Sequence, residues 1–600
     1  MRQRRVVTAL AIPLVLAFVA ASCGSDSDSS SEVTTGDATE ETTAPDEGET
    51  EETTAPDEGE TEETTAPDEG EEAAETTVAE SAEPAEPGVY GGTVSIGLEA
   101  EANGLRPWED GCASGCVNMA RTIYDPLMAQ TAEGNYEGYL AESIEANEDF
   151  TVWTLTLRPG ITFSNGVPLT AQSIADMFAI QQGGAISSGT IATISLNSVE
   201  ATDDLTVVYT LESGNSAFPS NLAGVSLGYV FEPAAAAADP DNFGFAPVGT
   251  GPFTLDKRDI DNETVVVRSD NYWRTAENGD QLPYLDSVVF RPIPDEGTRL
   301  DAAVSGTTNA MMTLRGATVR DARETDLTMY EFLGSDTGGG MFNTAEVPLD
   351  DIRVRQGLNK MNDQERVIVA LGNDGISERT TQWFSSSSPW WTQEAADTYP
   401  DFDFPGGQAL LQEYIDDPNR SDGKAVGEKI DVELSCPPDP TLLAAMQVIE
   451  QVWSGSEQVN VNLTQFDQAT HIQNALNDEH KAHCWRWSGE GDPSASLNPF
   501  LADPEVSVGN LPNNRDDETF ALAVAAIETD DIDERKELYS QINQRINEQA
   551  IIWYSGGTAT AIAVDPAIRN VDNWTLPSGS PGVGTPSAVT FYTEMYLSDQ

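Results

Sequence analysis

The sequence reads as an α/β protein whose folded part divides into two or three lobes. Three observations predict this. The stretch able to fold, from about Tyr90 to Gln600, is too long for one hydrophobic core. Residues 151–178 pass from a period-two pattern to a helical one. Trp153, Leu155 and Leu157 alternate with Val152, Thr154 and Thr156, and Ile174, Met177 and Phe178 then follow at helical spacing behind Thr170, which stands at the N-cap position. Ile430–Cys436, Pro440–Trp453 and Val459–Phe466 read as strand, helix and strand, a βαβ unit.

Taken in order, Met1–Ser22 has the form of an export signal. Arg2, Arg4 and Arg5 precede an apolar run, Val6–Ala20, shorter than the ~20 residues of a membrane span. Ala20-Ala21-Ser22-Cys23 resembles a bacterial lipobox with Ala20 where Leu is usual. That resemblance implies a lipid-modified Cys23 as the mature N-terminus; the alternative is an ordinary signal peptide. Acyl chains contribute about 0.8 kcal/mol per buried CH₂, so two or three anchor a protein durably.

Gly24–Pro87 contains no aromatic residue and no Lys or Arg, and repeats EETTAPDEGET from Glu40, Glu51 and Glu62, the last copy ending in Glu72. A period of eleven can mark a right-handed coiled coil, but each copy carries Pro and Gly and no apolar stripe. Residues 23–89 are therefore expected to be a solvated, self-repelling tether. The chain carries a formal charge of −71, and the part beyond the tether remains roughly 50 units negative. Such a surface repels phosphate backbones and argues against nucleic acid. A cationic or zwitterionic ligand and salt adaptation explain it equally well.

In the folded part, Gly92–Leu98 reads as the opening strand, Asn118–Met128 as a helix, and Leu196–Leu211 as two alternating strands. Pro247–Phe253, with two Gly and two Pro, demands a fixed turn, and Ser287–Arg291 is a strand. Pro348 and Asp350 start a helix with Ile352, Leu358, Met361 and Val367 in its stripe, and Asn362–Arg366 caps the next. Phe404–Tyr414 and Asp530–Glu548 are helices; Ala482–Trp487 and Ala550–Tyr554 are strands.

With Cys23 assigned to lipid, Cys112, Cys116, Cys436 and Cys484 allow three connectivities in an oxidising compartment. The expected pairs are Cys112–Cys116 across a turn and Cys436–Cys484 between two strands, with a C-x₃-C zinc half-site as rival for the first. His480 and His483, placed on opposite faces of a strand, make a poor metal pair, and no metal or cofactor is expected. Gly224–Gly228 fits the G-x-S-x-G pattern around Ser226, but that elbow needs a helix directly after the Ser, and Tyr229–Pro233 reads as a strand. An enzyme is not expected.

The wording of several segments goes further. LAESIEANEDFTVWTLTLRPGITFSNGVPLTAQSIADMF (Leu140–Phe178), Pro247–Phe253, Asn271-Tyr272-Trp273, MFNTAEVPLDDIRVRQGLNKMNDQERV from Met341, and Asp530–Glu548 occur in an order that resembles the extracellular solute-binding proteins of family 5, the peptide- and nickel-binding components of ABC importers. Ser173 departs from the Asp usual there. The resemblance implies a two-lobed type II periplasmic-binding-protein fold (cluster C). Lobe I would comprise 90–123, 245–328 and 556–600, an extra domain 124–244, and lobe II 329–555.

The resemblance also implies where ligand binds. In peptide-binding relatives the strand ending in Trp leads to an acidic residue that holds the ligand's α-amino group. Trp487-Ser488-Gly489-Glu490 places Gly489 and Glu490 there, with Glu replacing the usual Asp; the alternative is a solvated loop carboxylate. Trp485 and Trp487 share one strand face, and Trp390-Trp391 forms a second aromatic pair. Such rings suit a cleft that accepts varied side chains, and core packing is the competing role. Asn343 sits at the lobe crossover, orienting backbone or serving as a turn residue. Asp492-Pro493 reads as turn chemistry.

The reading is a monomeric, lipid-anchored binding protein outside the cytoplasmic membrane, delivering a di- or oligopeptide to ABC permease subunits. A nickel chelate, opine or oligosaccharide, or a peptide sensor without an importer, are the alternatives.

Overall fold

The longest run of backbone pairing joins two strands, Thr328–Phe342 and Ile552–Val564, antiparallel over most of their length. In the computed structural model, residues 88–600 are described except 103, 439, 489, 490, 503, 505–508, 599 and 600. The expected signal, Cys23 and nearly all of the tether lie outside the described residues.

The two strands stand at the middle of a ten-stranded sheet. On one side follow Ala310–Thr313, Thr93–Leu98, Ser287–Pro292, Glu263–Arg268 and Phe253–Asp259; on the other, Ala482–Ser488, Ile430–Cys436 and Val459–Gln465. The last two run parallel with Pro440–Ser454 between them, as the βαβ reading expects. A separate four-stranded sheet holds Ala141–Ala146, Val152–Leu157, Thr206–Leu211 and Leu196–Ala201.

Side-chain alternation sorts the far half of the large sheet into two cores, because successive residues of a strand face opposite ways. Phe342 and Trp553 pack with Leu358, Leu411 and Trp453 on one face. Met341, Ile552 and Tyr554 pack with Trp383, Trp390 and Tyr539 on the other. The near half has its own core, and Trp153, Leu155, Leu157 and Tyr209 of the four-stranded sheet belong to it. The inserted sheet is thus fused to its host through shared apolar packing.

Most local expectations hold. Val152–Leu157 buries its Trp153–Leu155–Leu157 face. Thr170 Oγ1 accepts from Ser173 N at 3.3 Å, and Ser173 Oγ accepts from Thr170 N at 3.3 Å. Ser173 completes this capping box, a role within reach of its short hydroxyl. Asp295, Asp351, Asp363 and Asp531 cap their helices.

Three expectations fail for identifiable reasons. The helix expected over Asn118–Met128 is Ser114–Ile123, because Asp125 precedes Pro126 and is biased out of the helical region; Met128–Gln130 is a strand. Ile352 is the first residue of its helix and exposed, so the buried stripe begins at Val354. The strand expected over Ala550–Tyr554 continues through two glycines to Val564.

Asp125 meets the Asn271-Tyr272-Trp273 segment in the interior. Trp273 Nε1 donates to Asp125 Oδ2 at 2.8 Å and Tyr272 OH to Oδ1 at 3.2 Å. Burial pushes the Asp125 carboxyl up to about 7, against the pull of these donors and of Arg274. Arg274 itself reaches Tyr139 OH and Glu594 at 2.9 Å each, tying the C-terminal segment to the same network.

Cys112 and Cys116 are joined, as are Cys436 and Cys484, the latter across two strands in the middle of the far half-sheet. The second bond closes a loop with a sequence separation of 48, for which chain entropy gives about 4 kcal/mol. Replacing both Cys436 and Cys484 by Ala is expected to cost about 2–4 kcal/mol in urea unfolding; a change within about 0.5 kcal/mol would contradict the assignment of stability to this link.

Candidate functional site

Between Ile376 and Asp401 the chain runs without long helix or strand, yet its backbone is held by buried amide side chains. Gln364 Nε2 donates to Thr380 O and Gln364 Oε1 accepts from Thr380 N, both at 2.9 Å. Asn547 Nδ2 donates to Thr381 O at 2.8 Å, Asn543 Oδ1 accepts from Trp383 N at 2.9 Å, and Gln382 Nε2 donates to Thr392 O at 2.7 Å. Burying Gln364, Gln382, Asn543 and Asn547 is tolerable because each makes hydrogen bonds. The result is a fixed wall made of loop.

This wall bounds a cavity of about 390 Å³ that reaches the strand Ile552–Val564 at Gly557. Glu378, Arg379, Asp397, Trp391 and Tyr399 line it. Arg379 Nη1 donates to Asp401 Oδ1 at 2.8 Å, and Ser386 Oγ donates to Glu378 Oε2 at 3.0 Å. The lining is polar with three aromatic rings, those of Phe384, Trp391 and Tyr399, which suits a solute having both charged and apolar parts. Among the described sequence candidates only Trp391 lies on it.

Trp390, next to it, is buried and packs edge-on against Tyr539. The Arg535 guanidinium lies 5.1 Å from the Trp390 ring and binds Asp492 through two bonds of 2.8 and 2.7 Å. Arg535 is 6% exposed and Asp492 3%. Burial lowers the proton affinity of Arg535, but the Asp492 hydrogen bonds and charge more than offset it, and the net shift is upward. Asp492 also caps the short helix Pro493–Ser496. The turn role expected for Asp492-Pro493 is present, and the Arg535 partner was not foreseen. No local pattern could have shown it, since the two residues lie 43 positions apart.

Trp487 is buried against Trp383 and Tyr554, with centroids 5.7 and 6.0 Å away. Trp485 is half-buried beside His471. Gly489 and Glu490 lie outside the described residues. Asn343 is buried at the end of the strand Thr328–Phe342. Its Nδ2 donates to His480 O at 3.1 Å and its Oδ1 accepts from Ala345 N at 3.1 Å, so it orients backbone. Through Arg535 the structure joins the Trp390-Trp391 loop to the segment that follows Glu490, while Trp487 serves the core beneath them.

Contacts between residues 124–244 and 329–555 include three more. Ser216 N donates to Ile527 O at 3.0 Å. A Cβ on Gly134 would meet the Pro389 ring at 2.7 Å, and one on Gly491 would sit 3.6 Å from Tyr136 OH.

Ser226 occupies a four-residue helix and shares a 3.1 Å hydrogen bond with Thr190. Tyr229 and Phe231 after it make isolated strand-like bridges. Among the described residues no three His, Cys, Asp or Glu side chains gather as metal ligands, and no helix is long and apolar enough to cross a membrane.

Residues 135–507 match the family model described as bacterial extracellular solute-binding proteins, family 5 middle. Over 465 residues the chain is 26% identical to heme-binding protein A of Haemophilus influenzae, covering 72% of this chain and 81% of that protein. Over 477 residues it is 24% identical to the nickel-binding periplasmic protein of Escherichia coli, covering 75% and 86%. The ABC transporter-associated periplasmic binding protein DppA from Helicobacter pylori, solved with the peptide STSA, superposes with a TM-score of 0.65 at 18% identity, covering 85% of this chain and 99% of that one.

The architecture is therefore that of a solute-binding protein of the two-lobed periplasmic type II fold, with an extra domain on its first lobe. This chain belongs to the bacterial extracellular solute-binding proteins of family 5.

Removing one partner of the Arg535–Asp492 pair strands a buried charge. Arg535→Met is expected to cost about 3–5 kcal/mol in urea unfolding, and adding Asp492→Leu to recover part of it. A loss below about 1 kcal/mol for Arg535→Met would show that the pair does not hold these loops.

Proposed function

We propose that this protein captures a peptide outside the cytoplasmic membrane and delivers it to an ABC permease, held at the membrane by lipid on Cys23. One lobe comprises 90–123, 245–328 and 556–600, with 124–244 as the extra domain, and the other 329–555. Solute binds between them, beside the wall Ile376–Asp401 and the loop after Trp487. The observation that carries this reading is the pair of long strands linking separately packed cores. A protein so built can bend at the link, and a solute that contacts both halves favours the closed state by its differential affinity.

Peptide is favoured over other solutes by the Glu490 position, where a carboxylate can accept charge-assisted hydrogen bonds from an α-ammonium group. Trp391 and Tyr399 beside the cavity offer surface for side chains without dictating one shape. The second reading, a heme-like or metal-chelate solute, draws support from the relatives named for heme and nickel.

Native mass spectrometry of the purified protein with ligand retained separates the two, a peptide mass supporting the first. For the site, Glu490→Ala is expected to weaken binding of peptides with free amino ends about 10- to 100-fold, the equivalent of one charge-assisted hydrogen bond, and to leave N-acetylated peptides little changed. Equal loss for both would remove Glu490 from the pocket.

A further inference from the structure

All three histidines of the chain sit in one cluster. His471 and His483 stack with centroids 3.6 Å apart and planes 7° from parallel; His480 packs at 4.8 Å from His483. They are 2%, 0% and 5% exposed respectively. The strand-based expectation separated His480 from His483, but the strand begins only at Ala482, so His480 lies in the preceding turn and folds back.

The hydrogen bonds fix the neutral form. His471 Nε2 donates to Cys484 O at 3.0 Å, which leaves Nδ1 as an acceptor with no protein partner. His483 Nδ1 pairs with Ser435 Oγ at 2.7 Å, and its Nε2 has no protein partner. Backbone of Asn474 and Leu511 comes near His480, but neither ring nitrogen completes a hydrogen bond. A proton added to His471 Nδ1 would have nothing to donate to, and two imidazolium rings stacked face to face would repel.

The charged residues on the elements around the cluster do not offset this. They are Asp467, Asp478 and Glu479 flanking the helix Gln468–Leu476, Lys481 just before the histidine strand and Arg486 on it, Asp431 and Glu433 on the next strand, Glu450 on the helix Pro440–Ser454, and Arg515. Of these charges Asp478 favours a protonated His480 ring, as do the backbone groups of Asn474 and Leu511, and burial outweighs all three; Asp478 Oδ1 already accepts from Asn513. Burial lowers the pKa of all three: His471 to about 4, His480 below its usual value, and His483 well below it, with the neighbouring histidines pushing His471 and His483 further down.

A metal centre is the competing use of three imidazoles. Ring nitrogens bind metal in the plane of the ring, so two parallel rings 3.6 Å apart cannot aim at one ion. We propose that His471, His480 and His483 form an acid-sensitive latch, which holds the helix Gln468–Leu476 onto the strand Ala482–Ser488 at neutral pH and lets go as the rings take up protons. The strand it releases is the one that leads into Gly489 and Glu490. The latch does not depend on which solute is bound.

The sign follows from linkage. Below the unfolded value near 6.5 the opened segment binds more protons than the closed one, so closure is full above that pH and weakens as pH falls toward the folded values. Each ring contributes up to about tenfold per pH unit, so three can raise the opening constant by roughly a thousandfold between pH 7.5 and 5.5.

Hydrogen exchange of the amides in 468–488, corrected for intrinsic rate, reads this on the full protein. The opening constant is expected to rise steeply on acidification, and the rise between pH 7.5 and 5.5 to be about tenfold smaller in His480→Gln. Because the chain has only three histidines, their imidazole NMR signals give a check that needs no variant. Rings that stay neutral in the folded protein at pH 5.5 support the latch. Rings titrating near 6.5 without opening, opening that ignores pH, or protection that rises when nickel alone is added at pH 7.5 would each overturn it.

Discussion

The rest of the structure depends on one paired crossing: Thr328–Phe342 against Ile552–Val564. Within the sheet, the two packed halves are joined through this ladder. Its chemistry is unusual for a central strand pair. Gly338, Gly339 and Gly340 face Trp553, Tyr554 and Gly556, and the register slips twice between Leu333 and Gly339. A Cβ at Gly340 would fall 1.9 Å from the Trp553 ring, and Gly556 has φ +118°, which side-chain-bearing residues rarely adopt. Glycine here allows close approach and bulging at once, and both weaken a strand as a rigid rod. In the proposed closure, backbone hydrogen bonds keep the halves in register while the bulges supply the bend.

On the second half, that flexible link meets a rigid wall. Asn359 Nδ2 and Asn362 Nδ2 donate to Ile552 O and Tyr554 O at 2.9 and 2.6 Å, pinning the strand to the core that flanks it. Gln364, Gln382, Asn543 and Asn547 do the same for the loop that bounds the cavity. Preorganised surfaces lose less entropy when a ligand arrives, so a stiff wall beside a soft hinge is an economical way to bind and close.

Regular elements were legible in the sequence because each carries a local period and a cap. The strand and helix within residues 152–181, the βαβ unit and the helix Ile532–Gln549 emerge close to where pattern places them. Of the crossing strands only the stretch up to Tyr554 was legible; the glycines beyond it and in 338–340 carry no strand pattern, although partners across the sheet hold them extended. For the site, the sequence supplied residue types but not burial. Trp390 and Trp487 have the look of cleft aromatics, yet lie within a core, whereas Trp391 one position on lines the cavity. Arg535 and the histidine cluster arise from pairings between distant elements or from where a strand begins, which no single-residue pattern encodes.

Bending at the glycine crossing is tested most directly by a distance between the halves. Spin labels at Glu133 and Ser387, exposed residues flanking the contact between Gly134 and Pro389, report it by pulsed electron resonance. With solute retained the account predicts one short, narrow distance. After solute is stripped it predicts a longer or broader distribution, returning on re-addition. One unchanged distance under all three conditions would contradict it.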